Sequence, residues 1–478
     1  MHLKNIKTLL LLYVVFSFKT LQSQELKRMN VVFILSDDQR YNTIHALGNN
    51  QVITPNLDKL VRNGFAFTRA HIMGGRQGAI CAPSRAMIMT GTYANHLTKD
   101  GTVIPASTPT FPEVLRTAGY TTFQSGKWHS DKASYNRLFS TGENIFFGGM
   151  HFPAAGGQEH PQLFHYDPSA KYPDSAKRIS DRYSSQAYAD AAVDFINKQK
   201  GTEAPFLCYV AFTSPHDPRT PPKKFRDMYD AKKISVPRSF MPDHPFDNGE
   251  LKIRDEELLA HPRNKDSVRE ELTKYYAMIT EMDSRIGAIL EAIKNNGFEN
   301  NTLVVFAGDN GLAVGNHGLM GKQNLYDHSV RVPLIFSGPG VPANKSSGAL
   351  CYLSDINPTV LDFLVAPVSK TVEARSLKAV ISGQSKKVRE NVYFLYRNLQ
   401  RGIRTDDDWK LILYNVKGKQ RVQLFNCKND PDELKDLSGE KNYEKKVSQM
   451  KKLLAEEMKA CGENLDITKP GWGAASSK

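Results

Sequence analysis

The sequence predicts an α/β protein: one large, mostly parallel mixed sheet flanked by helices, then a smaller C-terminal α+β subdomain carrying a short antiparallel sheet. Two observations point there. Short apolar runs alternate with stretches of helical periodicity, the pattern of strands joined through helices. Composition then shifts over residues 370–389, a polar and basic stretch beyond which short strands follow one another closely.

Taken in order, residues 31–35 read as the first strand and 121–124 as a second. Residues 206–212, 303–307 and 333–336 are three more. Residues 267–295 carry Tyr276, Ile279, Met282, Ile286 and Ile289 on one helical face. Residues 130–180, rich in Gly, Pro, His and aromatics, read as a long ordered loop, a common place for binding residues. Residues 391–396, 401–404, 409–414 and 422–426 read as short antiparallel strands, and 443–458 as a closing helix. The expected division is a signal peptide over 1–23, a main domain over 24–385 and a C-terminal subdomain over 386–478.

At the N-terminus Lys4 and Lys7 precede an apolar run over 9–18 and a polar stretch over 20–24, a signal-peptide pattern with cleavage after Ser23. The run is too short to span a bilayer, and no other membrane span is expected. The protein is therefore expected to be exported, to the periplasm or beyond. The net charge of +13 and pI near 9.3 suit an anionic partner, and charge alone does not choose among nucleic acid, acidic polysaccharide and membrane. The five cysteines (Cys81, Cys208, Cys351, Cys427, Cys461) have no metal-binding spacing.

Ligands of open α/β sheets bind outside the carboxyl ends of the strands. Here the first strand runs into Asp37-Asp38, the second into Lys127-Trp128-His129, the third into His216-Asp217 and the fourth into Asp309-Asn310. Polar residues end strands in most proteins, but four endings with this mix of acids, lysine and histidine mark one functional rim. Asp37, Asp38, Asp309 and Asn310 offer oxygen alone, which suits a hard cation. Cys81-Ala82-Pro83-Ser84-Arg85 stands before a helix start signalled by Pro83, which puts Cys81 at the positive helix end.

That pentapeptide, with Thr90-Gly91 after it, resembles the C-x-P-S-R signature of the formylglycine-dependent sulfatases of the alkaline-phosphatase-like superfamily; Met89 replaces the usual leucine. The likeness extends from Asp37 to the C-terminal strands, through Thr54–Asp58, the HG…GK-like run from His317 to Lys322, and Leu424–Leu434. It implies that Cys81 is oxidised by a maturation enzyme to formylglycine, whose hydrate is the nucleophile and a metal ligand. Asp37, Asp38, Asp309 and Asn310 would complete the site for Ca²⁺, with Mg²⁺ the alternative. Arg85 would orient the diol, and Lys127 and Lys322 would bind sulfate oxygens. His216 would protonate the leaving alcohol, and His129 would deprotonate the second hydroxyl to expel sulfate. His317 is held in reserve as a supporting residue.

The expected substrate is an anionic sulfated glycan: an algal polymer such as ulvan or carrageenan, or a host glycan. Neither nucleic acid nor a membrane span is expected, and oligomeric state is not legible. Arg76, Gln77, His151, His165, Arg219 and Arg397 are candidate sugar contacts. A phosphonate or phosphate-ester hydrolase and a non-catalytic glycan-binding protein remain as rivals. Activity on sulfate against phosphonate esters separates the first, and loss of site residues would mark the second.

Overall fold

The computed structural model describes residues 28–469 and 472; the expected signal segment lies outside them. The strands are β1 (Asn30–Ser36), β2 (Gly64–His71), β3 (Gly74–Gly75), β4 (Thr121–Lys127), β5 (Thr141–Phe146), β6 (Gln162–Leu163), β7 (Arg178–Ile179), β8 (Phe206–Ala211), β9 (Thr302–Gly308), β10 (Arg331–Ser337), β11 (Lys345–Ser347), β12 (Cys351–Tyr352), β13 (Asn391–Tyr396), β14 (Gln400–Thr405), β15 (Trp409–Val416) and β16 (Lys419–Asn426).

The large sheet has the order β11-β2-β10-β9-β1-β8-β4-β5, with β12 also on β2. From β9 to β5 its neighbours are parallel, whereas β10 runs antiparallel to both β9 and β2. Every residue of β1 is buried, because the sheet is covered on both faces and side chains alternate between them. Val31, Phe33 and Leu35 enter one core with Tyr209, Ala86 and Met87. Val32 and Ile34 enter the other with Cys208 and Val210, under the helices Ser184–Lys198 and Lys265–Asn295. The latter helix starts where Asn264 caps it, its side chain accepting from the amides of Asp266 and Ser267.

Three local expectations need correction. Residues 130–180 are not one long loop: they hold the helix Lys132–Leu138, the edge strand β5 and the β6–β7 ribbon. The β5 sequence Thr-Gly-Glu-Asn-Ile-Phe carries no apolar run, since an edge strand covered mainly at Ile145 needs none. Strand β2 was not anticipated. Strand β4 continues to Lys127 through an irregularity between Gln124 and Gly126, so Ser125-Gly126-Lys127 end the strand rather than follow it.

The smaller sheet has the order β16-β15-β14-β13-β3. The helix Glu444–Ala460 lies against it through Met450, Leu454 and Met458. Its last strand comes from far upstream: β3 pairs in parallel with β13, Gly74 opposite Leu395 and Gly75 opposite Tyr396. Gly74 has φ +96°, and a Cβ there would stand 2.0 Å from the Leu395 carbonyl oxygen, so glycine is required. Asp327 also ties the two sheets, buried against Arg404 and 2.8 Å from Lys410 Nζ, which reaches Glu433 at 2.7 Å. All five cysteines are buried free thiols. Among the described residues no helix is long and apolar enough to cross a membrane.

Candidate active site

The parallel neighbours β9, β1, β8 and β4 bring their carboxyl ends to one rim, and the four polar endings meet there. The Asp37 amide donates to the Ser214 carbonyl at 3.1 Å and the Asp309 amide to the Ser36 carbonyl at 3.0 Å, which fixes the rim loops to each other. Asp38 adopts a left-handed backbone (φ 63°), and its amide donates to Asp309 Oδ1 at 3.1 Å. Asn310 Nδ2 donates to the same oxygen at 2.9 Å. Asp37, Asp38 and Asp309 each place an oxygen within 4.8 Å of the others. Asp37 Oδ1, Asp38 Oδ2 and Asn310 Oδ1 are buried without a hydrogen-bond partner. Buried polar atoms are normally paired, and three unmet oxygens in a cluster of carboxylates match the needs of a hard cation. The donor set therefore fits the expected metal.

Cys81 begins the helix Cys81–Thr90. Its Sγ lies 3.6 Å from Lys127 Nζ and 3.7 Å from Lys322 Nζ. Each lysine also reaches an acid: Lys127 to Asp37 Oδ2 and Lys322 to Asp38 Oδ1, both at 2.6 Å. Burial pushes the Cys81 thiol up, against the pull of the two lysines. Burial also raises the carboxyl groups of Asp38 and Asp309, the latter to about 6 with help from the Asp37 charge. For Asp37 burial acts the same way, but Lys127, His216 and Arg85 outweigh it and hold the group well below the usual range.

Arg85 is buried, 1% exposed. Its Nε donates to Asp309 Oδ2 at 2.9 Å and its Nη1 to the Lys127 carbonyl at 2.9 Å, while Nη2 stands 3.8 Å from Asp37. It braces the acids and the end of β4, and its Nη2 is buried without a hydrogen-bond partner.

The two histidines are pushed in opposite directions. Burial and the nearby Lys127 and Arg85 charges hold His129 well below its ordinary range, and its Nδ1 has no partner. Burial lowers His216 too, but Asp38 and Asp217 carry it above its ordinary range. His216 Nδ1 lies 2.8 Å from the Asp217 carbonyl, leaving Nε2 toward the rim, 3.6 Å from Asp38 Oδ2. Asp217 is itself held by Arg254 at 2.5 Å.

Above Cys81 opens a cavity of about 300 Å³, lined by His129, His216 and Lys322 at its polar end and by Phe152, Arg254, Asp255 and Arg397 elsewhere. Of the six candidate sugar contacts only Arg397 lines it. Arg76 is engaged by Asn95 and Glu463, Gln77 by the Asp100 carbonyl, His151 by Tyr188, His165 by Glu143 and Arg219 by Glu271. Arg254, Asp255 and Phe152 were missed: the first two open the short helix Arg254–Glu257 and Phe152 lies in a loop, and neither segment carries a motif. His317 stands apart, stacked on Tyr326 and bonded to the Glu433 carbonyl, a supporting role.

Two ammonium groups flanking one potential nucleophile, beside a site for a hard cation, define a hydrolase for an oxyanion ester. The chain belongs to the sulfatase family, whose model matches residues 29–365; the model for the C-terminal region of N-sulphoglucosamine sulphohydrolase matches 315–460. It is 26% identical to an N-acetylglucosamine-6-O-sulfatase of Bacteroides thetaiotaomicron over 93% of this chain and 88% of that protein. It is 27% identical to an ulvan-active sulfatase of Formosa agariphila, over 89% of this chain and 80% of that one. Among solved structures, an enzyme in complex with its substrate D-glucosamine-2-N,6-O-disulfate superposes with a TM-score of 0.74 at 22% identity, over 92% of this chain and 99% of that one. The protein is thus a sulfatase on the mixed-sheet fold described above.

Proposed function

We propose that this sulfatase removes sulfate esters from a sulfated poly- or oligosaccharide, using a formylglycine made from Cys81 and a Ca²⁺ ion held by Asp37, Asp38, Asp309 and Asn310. The observation that carries the reading is the setting of Cys81, at a helix start, between two lysine ammonium groups and beside the carboxylate cluster. A buried thiol with a raised pKa is a poor nucleophile at neutral pH, which supports its conversion. Formylglycine would supply two hydroxyls on one carbon, and the cation would polarise them and a sulfate oxygen.

This chain's own side chains do the rest. Lys127 and Lys322 bracket Cys81 and stabilise charge on the sulfate oxygens. Asp309, beside Cys81 in the carboxylate cluster, would take the nucleophile's proton as attack proceeds. Arg85 keeps Asp309 and Lys127 in register. His216 presents Nε2 to the leaving oxygen, with Asp217 and Arg254 fixing the ring from behind. His129, held uncharged, accepts a proton at its free nitrogen. Residues 1–23 would direct export, and 386–478 would form a subdomain closing one side of the cavity.

The test is mass spectrometry of the Cys81 peptide from protein produced with a maturation enzyme, which should be lighter by about 18 Da. Sulfate release from a panel of sulfated oligosaccharides should accompany it, with phosphonate monoesters turned over more slowly. An unmodified thiol in fully active protein, or an unchanged rate for Cys81→Ala, overturns the mechanism.

A further inference from the structure

We propose that Arg397 is a specificity-determining residue that selects substrates bearing a second anionic group besides the scissile sulfate ester. The inference rests on the sulfatase reading above and deepens it.

Arg397 has a left-handed backbone with φ 44°, a conformation that disfavours a residue with a long side chain and persists only where its surroundings enforce it. The enforcement is visible. Its amide donates to the Gly75 carbonyl at 2.8 Å, and its own carbonyl accepts from Arg401 Nη1 at 2.7 Å. It directly follows β13, whose last residue, Tyr396, pairs with Gly75 six positions before Cys81. The backbone of Arg397 is thereby fixed to the segment that carries the nucleophile.

The side chain is arranged as well. A Cβ at Gly78 would lie 2.9 Å from Arg397 Nη2, so the guanidinium lies close against the Gly78 backbone. Nε stands 3.2 Å from Glu250 Oε1 as an ion pair without a hydrogen bond, and that oxygen accepts from the Tyr396 hydroxyl at 2.8 Å. Among the described residues no hydrogen-bond partner meets either terminal nitrogen, and the side chain, 40% exposed, lines the cavity above Cys81.

The other cations of that cavity are committed. Arg254 is bound by Asp217 and Asp255, and Lys322 by Asp38. Arg397 is ion-paired with Glu250 at Nε, but among the described residues both its terminal nitrogens stay unpaired, and that edge of the guanidinium matches a carboxylate or sulfate through two parallel hydrogen bonds. Phe152, 60% exposed at the same cavity, supplies an apolar face for a sugar ring. A sugar carrying both the ester at Cys81 and a second acidic substituent at Arg397 satisfies both.

The experiment compares matched substrates on the calcium-loaded, formylglycine-containing enzyme: glucosamine 6-O-sulfate against its 2-N,6-O-disulfate, and 6-O-sulfated disaccharides with and without a uronate. The first pair reads a second sulfate and the other a carboxylate. We expect the parent to favour the doubly anionic member of at least one pair. Arg397→Gln should lower that preference in kcat/KM at least tenfold, mainly through KM, and Arg397→Lys should restore it in part. A preference unchanged within twofold in R397Q overturns the proposal, whether both members slow together or neither does. A parent that discriminates in neither pair while releasing sulfate overturns it too, leaving the sulfatase reading intact. A modified parent that releases sulfate from no substrate, including an aryl sulfate, overturns both.

Discussion

Replacing Arg85 with leucine should destabilise the protein sharply without metal and much less with it. In the structure its guanidinium is 1% exposed, stands 2.9 Å from Asp309 Oδ2 and 3.8 Å from Asp37 Oδ2, and satisfies the Lys127 carbonyl at 2.9 Å. Removing one partner of a buried ion pair costs about 3–5 kcal/mol. Stranding a buried carbonyl adds about 1 kcal/mol at the lower end of its range, so about 4–6 kcal/mol is expected in EDTA. A cation bound among Asp37, Asp38 and Asp309 would neutralise the charge the variant leaves uncompensated. At 100 times Kd, calcium should add about 2.7 kcal/mol to the parent, and more to the variant. The assay is urea unfolding of both proteins in EDTA and in calcium, followed by tryptophan fluorescence. A variant within 1 kcal/mol of the parent in EDTA, or equal calcium increments in both, would refute the bracing role.

Other expectations are simpler to check. His129→Gln and His216→Gln should each lower kcat by roughly 10²–10⁴-fold on a sulfate ester, the usual range for a lost general acid or base; an effect below threefold would remove that residue from the proton transfers. Because the folded pKa of His129 is depressed below 6.5 by burial and nearby cations, its uncharged form persists as pH falls. A His129-dependent acid limb in kcat should therefore lie below pH 6.5 and vanish in His129→Gln. Gly74→Ala, which drives a Cβ to 2.0 Å from the Leu395 oxygen at φ +96°, should destabilise by more than about 3 kcal/mol and yield mostly insoluble protein; a soluble variant with parental Tm would contradict the β3–β13 geometry. Asp327→Asn leaves Lys410 and Arg404 short of a buried counter-charge and should cost about 3–5 kcal/mol in urea unfolding.

What the sequence determined by itself is local in kind. A strand's apolar run and the polar residues after it are contiguous, so β1, β8 and β9 and their endings at Asp37-Asp38, His216 and Asp309-Asn310 could be read directly. The pentapeptide at Cys81 was legible because its cysteine, proline and helix start lie within one turn. The four endings converge because parallel strands share one carboxyl edge, a rule of the fold class. Tertiary structure decided what depends on distant pairing. Strand β5 lacked an apolar run because an edge strand is covered on less of its surface. Arg85 could be placed beside Cys81 but not assigned to Asp309, 224 residues away in sequence. That cations and acids would pair while three oxygens stayed unmet is a balance of packing, visible only once the rim is assembled. Arg397 shows the same limit: nothing near it in sequence marks a binding residue. Only the pairing of β13 with Gly74-Gly75 carries it to the cavity of Cys81, because strand register, not chain proximity, sets which side chains share a site.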